Sequence, residues 1–289
     1  MVIINLDDTF APFGVGLPII NTLFPSRAEL NVRIPLPQFK EVGFDGDVLV
    51  TSRISSSDDI MSIMLVADAL DRISEVKRKS LYLPYMPYAR QDHIVAPGEA
   101  LSLKVITRMI NSCNWDRVGV FDPHSDVTAA LIERIEVTSN LKLVEQVLDG
   151  KSNYWMLSPD GGAFKKGGKL ADELGYDRQV IVCGKVRDPR PEHKGKIMGM
   201  HVPEMDYQGL DVYMIDDIIE GGRTFIGIAQ ELRKRNAGKI YLIVSHPVLS
   251  WGDTEIRKHL DGIFTTDSFV PIGTYDTAFV TEIKLCTIL

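Results

Sequence analysis

The sequence has no apolar run near the ~18 residues that cross a bilayer. Its first residues, Met1-Val2-Ile3-Ile4-Asn5-Leu6-Asp7-Asp8, carry two acids and no basic cluster. Neither a membrane partner nor a signal peptide is expected. Cysteine is scarce: Cys113, Cys183 and Cys286 are odd in number and widely spaced, which argues against a disulfide framework and against a zinc site. Cytoplasmic location follows as the expectation. Basic residues are outnumbered, 32 Lys and Arg against 39 acids, for a net charge of −7. General nucleic-acid binders are usually basic, so no nucleic-acid partner is expected. A small anionic substrate is a different matter, because local lysines and backbone N–H groups can outweigh the global charge.

What is present is an ordinary globular balance over 289 residues, 45% hydrophobic and 25% charged, enough for two domains with real cores. Short apolar runs alternate with helical patterns. Strands are expected at 47–50, 79–82, 117–121, 154–157, 179–182, 212–215 and 239–244. Helices are expected at 58–73, with Ser57 or Asp58 as N-cap, and at 98–111, 161–174 and 222–235. This alternation predicts an α/β protein with mainly parallel sheets flanked by helices. A polar break at 138–153 places a domain boundary near residue 140, giving an N-terminal unit 1–140 and a C-terminal unit 141–289.

The segment Val212 to Thr224 carries the strongest chemical signal. An apolar strand ends in Asp216-Asp217, and Glu220-Gly221-Gly222-Arg223-Thr224 then opens a helix. Backbone N–H groups at such a helix start favour an anion, and acids at the carboxyl end of a strand can accept from sugar hydroxyls. The plain alternative is a strand-to-helix turn with surface acids. The loop lacks the Lys-Ser/Thr ending of a Walker-type phosphate loop. Tyr82, Tyr85 and Tyr88 lie among prolines without interleaved basic residues, so core packing is expected of them rather than base stacking.

This stretch resembles the sugar-phosphate loop shared by type I phosphoribosyltransferases and ribose-phosphate pyrophosphokinases. Three more stretches point to the pyrophosphokinases: Pro87-Tyr88-Ala89-Arg90-Gln91-Asp92, Phe121-Asp122-Pro123-His124-Ser125, and Ser158-Pro159-Asp160-Gly161-Gly162 followed by Lys185-Val186-Arg187. The resemblance runs from about Glu29 to the last strand. It implies two similar phosphoribosyltransferase-type domains and transfer of the β,γ-diphosphate of ATP to the anomeric hydroxyl of a 5-phosphorylated ribose. It implies that Arg90, Gln91, Asp92 and His124 hold ATP, with Glu29 reading adenine from a neighbouring subunit. Mg²⁺ would be held by Asp122, His124 and Asp160. Lys185, Arg187 and His124 would be catalytic, with 188–195 a polar loop that closes over ATP. Asp216, Asp217, Glu220, Gly221, Gly222, Arg223 and Thr224 would bind the ribose phosphate. A homo-oligomer, dimer or hexamer, is the implied assembly.

Two features depart from the family. The family loop usually reads Asp-Thr-Gly-Gly-Thr, whereas here Glu220 is longer, Gly221 replaces a threonine hydroxyl, and Arg223 adds a guanidinium. Arg223 could pair with a second phosphate, which makes ADP-ribose an alternative acceptor, in nicotinamide nucleotide synthesis. The adenine-reading segment has Pro25 where an aromatic is usual, with Phe24 adjacent. The chain is also short for the family: it is expected to end in a strand over 281–289, without the family's C-terminal helix. A phosphoribosyltransferase and a non-catalytic regulatory subunit are the competing classes.

Overall fold

The computed structural model describes residues 1–17, 20–23, 29–41, 44–162, 164–187 and 197–289. The first sheet follows from four short apolar runs and an N-terminal strand. Strand β1 (Val2–Asn5) is followed by the antiparallel hairpin β2 (Ile20–Leu23) and β3 (Leu30–Arg33), then α1 (Leu36–Glu41). Next come β4 (Asp47–Thr51), α2 (Ser57–Asp71), β5 (Arg78–Leu83), α3 (Ser102–Ser112), β6 (Arg117–Phe121), α4 (Asp126–Leu131) and β7 (Ile135–Thr138). The parallel order is β1-β4-β5-β6-β7. Val48, Val50, Leu81, Leu83, Val118 and Val120 are buried beneath Leu70 of α2 and Leu103 of α3. Such continuous apolar strands are what a sheet covered on both faces requires.

The N-cap of α2 is Ser56, one residue before the expected position. Its side chain accepts from the Asp59 N–H while the Asp59 carboxylate accepts from the Ser56 N–H, a reciprocal capping box. Helix α3 begins at Ser102 rather than 98, because 97–100 form a turn and open chain.

Half of the polar break at 138–153 is a helix, α5 (Leu141–Leu148), which buries Leu143, Val144, Val147 and Leu148. The second half then runs β8 (Tyr154–Ser158), α6 (Phe164–Glu173), β9 (Ile181–Val182), the hairpin β10 (Gly184–Arg187) and β11 (Ile197–His201), β12 (Asp211–Ile219), α7 (Arg223–Arg233), β13 (Ile240–Pro247), β14 (Gly262–Thr266) and β15 (Val280–Ile283). Six of these strands form a parallel sheet, ordered β15-β14-β13-β12-β8-β9. Beyond β15 the chain makes a short 3₁₀ turn, Leu285–Thr287, instead of the expected longer strand.

Strand β12 is longer than the sequence reading allowed. It pairs with β13 from Val212 to Ile219, so Asp216 and Asp217 lie inside the strand's second half rather than at its end. Among the described residues no helix is long and apolar enough to cross a membrane.

A third buried cluster joins the halves: Phe10, Tyr82 and Phe121 pack with Met156, Tyr213, Ile243 and Leu285. Polar contacts reinforce the joint. Buried Arg53 donates to the Asp7 carboxylate at 2.6 Å and to the Asp267 carbonyl at 3.2 Å. The carboxyl end of β6 is thereby brought to the carboxyl ends of β8, β12 and β13, where ligands of open α/β sheets bind.

Candidate active site

A cleft of about 1050 Å³ opens along this joint. Its floor begins with the turn after β6. Asp122 adopts a left-handed backbone (φ 44°), which swings the next residues toward β12. Its carboxylate is 1% exposed as a residue and is held by the Ser245 hydroxyl and the Lys166 ammonium. Burial opposes charge on Lys166, but Asp122, then Asp217 and Asp216, keep its affinity for the proton raised. Under the turn, fully buried His246 is edge-on to Tyr85, with centroids 5.0 Å apart. Its Nε2 lies 3.0 Å from the Asp122 carbonyl, which can only accept, so Nε2 carries hydrogen. Burial pushes the pKa of His246 down.

His124, two residues on, hydrogen-bonds through Nδ1 to Asp217 Oδ2 at 2.9 Å. That contact raises the His124 pKa. Burial works against charge on Asp217, yet His124 and Lys166 hold its carboxyl below the ordinary range. Asp216 is pushed the opposite way, first by burial and then by the charge of Asp217. The two neighbouring carboxyls are thus pushed in opposite directions, and both stand where sugar hydroxyls could bond to them. Ser125 donates to Asp92 at 2.6 Å, which ties the 87–92 segment to this turn. Burial raises the Asp92 pKa, but the Ser125 and His93 contacts outweigh it and leave the carboxyl lowered.

On the opposite wall, Lys185 of β10 pairs with Asp160 of the turn after β8, Nζ to Oδ2 at 2.8 Å. Asp160 also accepts from the Gly162 N–H at 3.0 Å. Five basic side chains, Arg90, Lys166, Lys169, Lys185 and Arg223, line the cleft beside six acids, Asp122, Asp126, Asp160, Asp216, Asp217 and Glu220, and Arg90, Lys166 and Lys185 are each paired with one of those acids.

The rim is the loop 220–224. Gly222 is the N-cap of α7 at φ 70°, a conformation that costs glycine least. The first N–H groups of the 11-residue α7 then open on the cleft. Glu220 is bound by Arg90. The Arg223 guanidinium lies 4.5 Å over the indole of Trp251.

The structure thus brings together Arg90, Asp122, His124, Asp160, Lys185, Asp216, Asp217, Glu220, Gly221, Gly222, Arg223 and Thr224. Asp122 differs from its expected part. With its carboxylate taken up by Ser245 and Lys166, it anchors the turn and presents no free oxygen to a metal. Gln91 is exposed, and its backbone N–H donates to the Tyr88 carbonyl at 2.9 Å; it is not in the cleft wall, nor is exposed Glu29, the residue before β3. Tyr82 is core, as expected, whereas Tyr88 is 38% exposed. The Arg187 side chain, Phe24, Pro25 and residues 188–195 lie outside the described residues and side chains. Sequence reasoning missed Lys166, Ser245, His246 and Trp251. For Lys166 a signal existed, a basic residue on the helix that follows Asp160. For the others the partner is distant in sequence and no local pattern announces it.

Residues 36–113 match the N-terminal domain of ribose phosphate pyrophosphokinase. A ribose-phosphate pyrophosphokinase of Brucella melitensis is 30% identical over 237 residues, which cover 79% of this chain and 73% of the relative. One from Bradyrhizobium diazoefficiens is 26% identical over 266 residues, covering 89% and 80%. A crystal structure of phosphoribosylpyrophosphate synthetase from Mycobacterium smegmatis covers 99% of this chain and 95% of its own, with a TM-score of 0.79 and 21% identity. That last likeness establishes the fold, two phosphoribosyltransferase-type domains.

Proposed function

The chain belongs to the ribose-phosphate pyrophosphokinase family and is an ATP-dependent diphosphotransferase, and from that premise we propose that it transfers the β,γ-diphosphate of ATP to the anomeric hydroxyl of a 5-phosphorylated ribose, with ribose 5-phosphate the default acceptor. The observation that carries this reading is the convergence, in one cleft, of Lys185 with the Asp216–Asp217 pair and the glycine-capped start of α7.

In the reaction, the anomeric oxygen bonds to the β-phosphorus. The bond between the β-phosphorus and the oxygen that bridges it to the α-phosphate breaks, AMP leaves with that oxygen, and the hydroxyl proton passes to water. Negative charge grows on the departing oxygen, and a cation positioned there lowers the barrier. Lys185 is the group we assign to that task, with Arg187 beside it on the same strand. Asp160 holds the Lys185 ammonium between turnovers, and polyphosphate competes for that ammonium. Asp216 and Asp217 orient the ribose hydroxyls. The N–H groups at the start of α7 and the Thr224 hydroxyl receive the 5-phosphate, and Arg90 and Asp92 position the nucleotide.

The donor set suits Mg²⁺. Among the described residues no three His, Cys, Asp or Glu side chains are already gathered around one point. Mg²⁺ keeps several waters and uses one or two carboxylates plus substrate phosphates. Asp160 and His124 would hold it, directly or through water, and the ion would neutralise phosphate oxygens. His124 is suited to this because Asp217 fixes Nδ1. A homo-oligomer in which Glu29 reads the adenine of a neighbouring subunit completes the proposal.

A second reading, ADP-ribose as acceptor, is favoured by Gly221 and Arg223. A hydroxyl donor is missing from the loop, and an exposed guanidinium stands beside it. An Arg pairs bidentately with an additional phosphate. Purified protein with ATP, Mg²⁺ and each acceptor tests both readings. AMP release that depends on ribose 5-phosphate or ADP-ribose supports diphosphate transfer, and kcat/KM ranks the two. Absence of AMP with both removes the proposal, as does full activity in excess chelator for its metal.

A further inference from the structure

Trp251 belongs to none of the expected motifs, yet it forms part of the cleft wall. It sits in the turn after β13 and is 66% exposed. A lone exposed tryptophan on a surface needs no explanation. This one has three observations attached to it.

The first is that the turn is fastened. The Val248 and Leu249 N–H groups donate to the Ile219 carbonyl at 2.9 and 3.1 Å, and Gly252 closes onto Leu249 at 2.8 Å. The turn is thus bound to the end of β12, next to Glu220. The second concerns Gly221. A Cβ at that position would stand 3.2 Å from Cζ3 and 3.3 Å from Cε3 of the indole. The threonine usual in this loop would press its branched side chain against the ring. The loop glycine and the tryptophan are therefore one feature: losing the hydroxyl makes room for the indole. The third is the Arg223 guanidinium over the ring at 4.5 Å. A cation–π contact of this kind holds the guanidinium in place beside the start of α7.

Together these put an aromatic plane and an oriented guanidinium at the outer edge of the 5-phosphate loop. An acceptor that ends in one phosphate has no use for the plane. One that continues through a second phosphate into a base could use both, because bases stack on exposed indoles and on arginine planes. We infer that Trp251 and Arg223 form an acceptor subsite for a nucleoside diphosphate joined to the ribose 5-position, in which Arg223 meets the second phosphate and Trp251 stacks the base. This rests on the diphosphate-transfer reading for its catalytic consequence, but the binding itself can be measured separately.

The test uses the full chain and its W251A and W251F variants, with ADP-ribose and ribose 5-phosphate as probes. Trp251→Ala should lower the ratio of kcat/KM for ADP-ribose over ribose 5-phosphate by about tenfold or more, the range of base–aromatic stacking, while Trp251→Phe keeps most of it. In parallel, ADP-ribose without ATP should quench tryptophan fluorescence saturably, and the quench should vanish in Trp251→Ala. Saturable quenching without AMP from either acceptor would leave the subsite standing and remove diphosphate transfer. AMP formation with an unchanged ratio in Trp251→Ala, or with no quench, would overturn the subsite and leave diphosphate transfer intact.

Discussion

The floor and the rim of the cleft handle charge differently. On the floor, Asp122 and Asp217 are buried, and each is met by a partner from the other half of the chain, Lys166 and His124 respectively. At the rim, Arg90 and Glu220 are paired but about half exposed, and Arg223 rests on a tryptophan instead of an acid. Buried pairs hold geometry tightly because leaving either member alone is costly. Exposed pairs are weak and exchange readily with solvent or ligand. On the proposed reading, the floor would fix the reacting groups and the rim would choose what hangs from the ribose. Chemistry and acceptor choice would then be separable, and mutations should separate them.

The largest effect should come from Lys185. Alanine there should lower kcat by about 10²-fold or more while the KM for ATP changes little, the mark of a contact made chiefly in the transition state. A steady-state comparison checks this, and a normal kcat would sink the assignment. A floor substitution should act on folding as well. Lys166→Met leaves the Asp122 carboxylate buried with only Ser245, and should cost about 2 kcal/mol of stability in urea denaturation. An unchanged midpoint would mean that the floor pair does not hold the joint.

Smaller, and specific to the floor, is a dependence on pH. The folded pKa of His246 lies below its ordinary value of 6.5. The unfolded chain therefore binds a proton that the folded chain refuses, so the stability this group contributes is present above 6.5 and is lost as pH falls below it. The slope for one such group is at most about 1.4 kcal/mol per pH unit. His124 has the opposite sign: its raised pKa adds stability below 6.5 that is lost as pH rises through the folded value, discounted because the ring is 38% exposed. The difference between the melting curves of the parent and His246→Gln across pH 5–7 isolates the buried ring. The parent's stability relative to the variant should fall from pH 7 toward pH 5, and a difference that stays constant over that range would contradict the buried neutral ring. The smallest effect belongs to the rim: Glu220→Gln should change stability by less than about 1 kcal/mol, and a larger loss would make the rim as structural as the floor.

Much of the floor was legible in the sequence because its residues sit in strand–turn–helix contexts that bias backbone direction. Asp216-Asp217 ahead of Gly221-Gly222, the Asp122–His124 turn and Asp160 all follow apolar runs, and all reach one cleft. The partners were not legible. Lys166 and Asp122 are 44 residues apart, His124 and Asp217 are 93 apart, and Arg90 and Glu220 are 130 apart; no period encodes such pairs. Strand β12 ran past its acids because Ile218 and Ile219 keep pairing with β13, a tertiary reward that outweighs two charged residues. The 138–153 stretch concealed a helix because its four buried apolar residues stand among lysines, glutamate and glutamine. The rim was half legible: Gly221 and Arg223 stood out against the family loop, but the tryptophan packed against both lies in a turn some thirty residues on.

The most direct test of diphosphate transfer follows the phosphorus. ATP labelled at the β-phosphate is incubated with the protein, Mg²⁺ and ribose 5-phosphate or ADP-ribose, and the products are resolved by phosphorus NMR. The account predicts that the label leaves as a diphosphate on the anomeric oxygen of the sugar, with one unlabelled AMP for each sugar formed, and that Lys185→Ala nearly abolishes both. Label retained in ADP, or label released as free diphosphate without a sugar product, would contradict it.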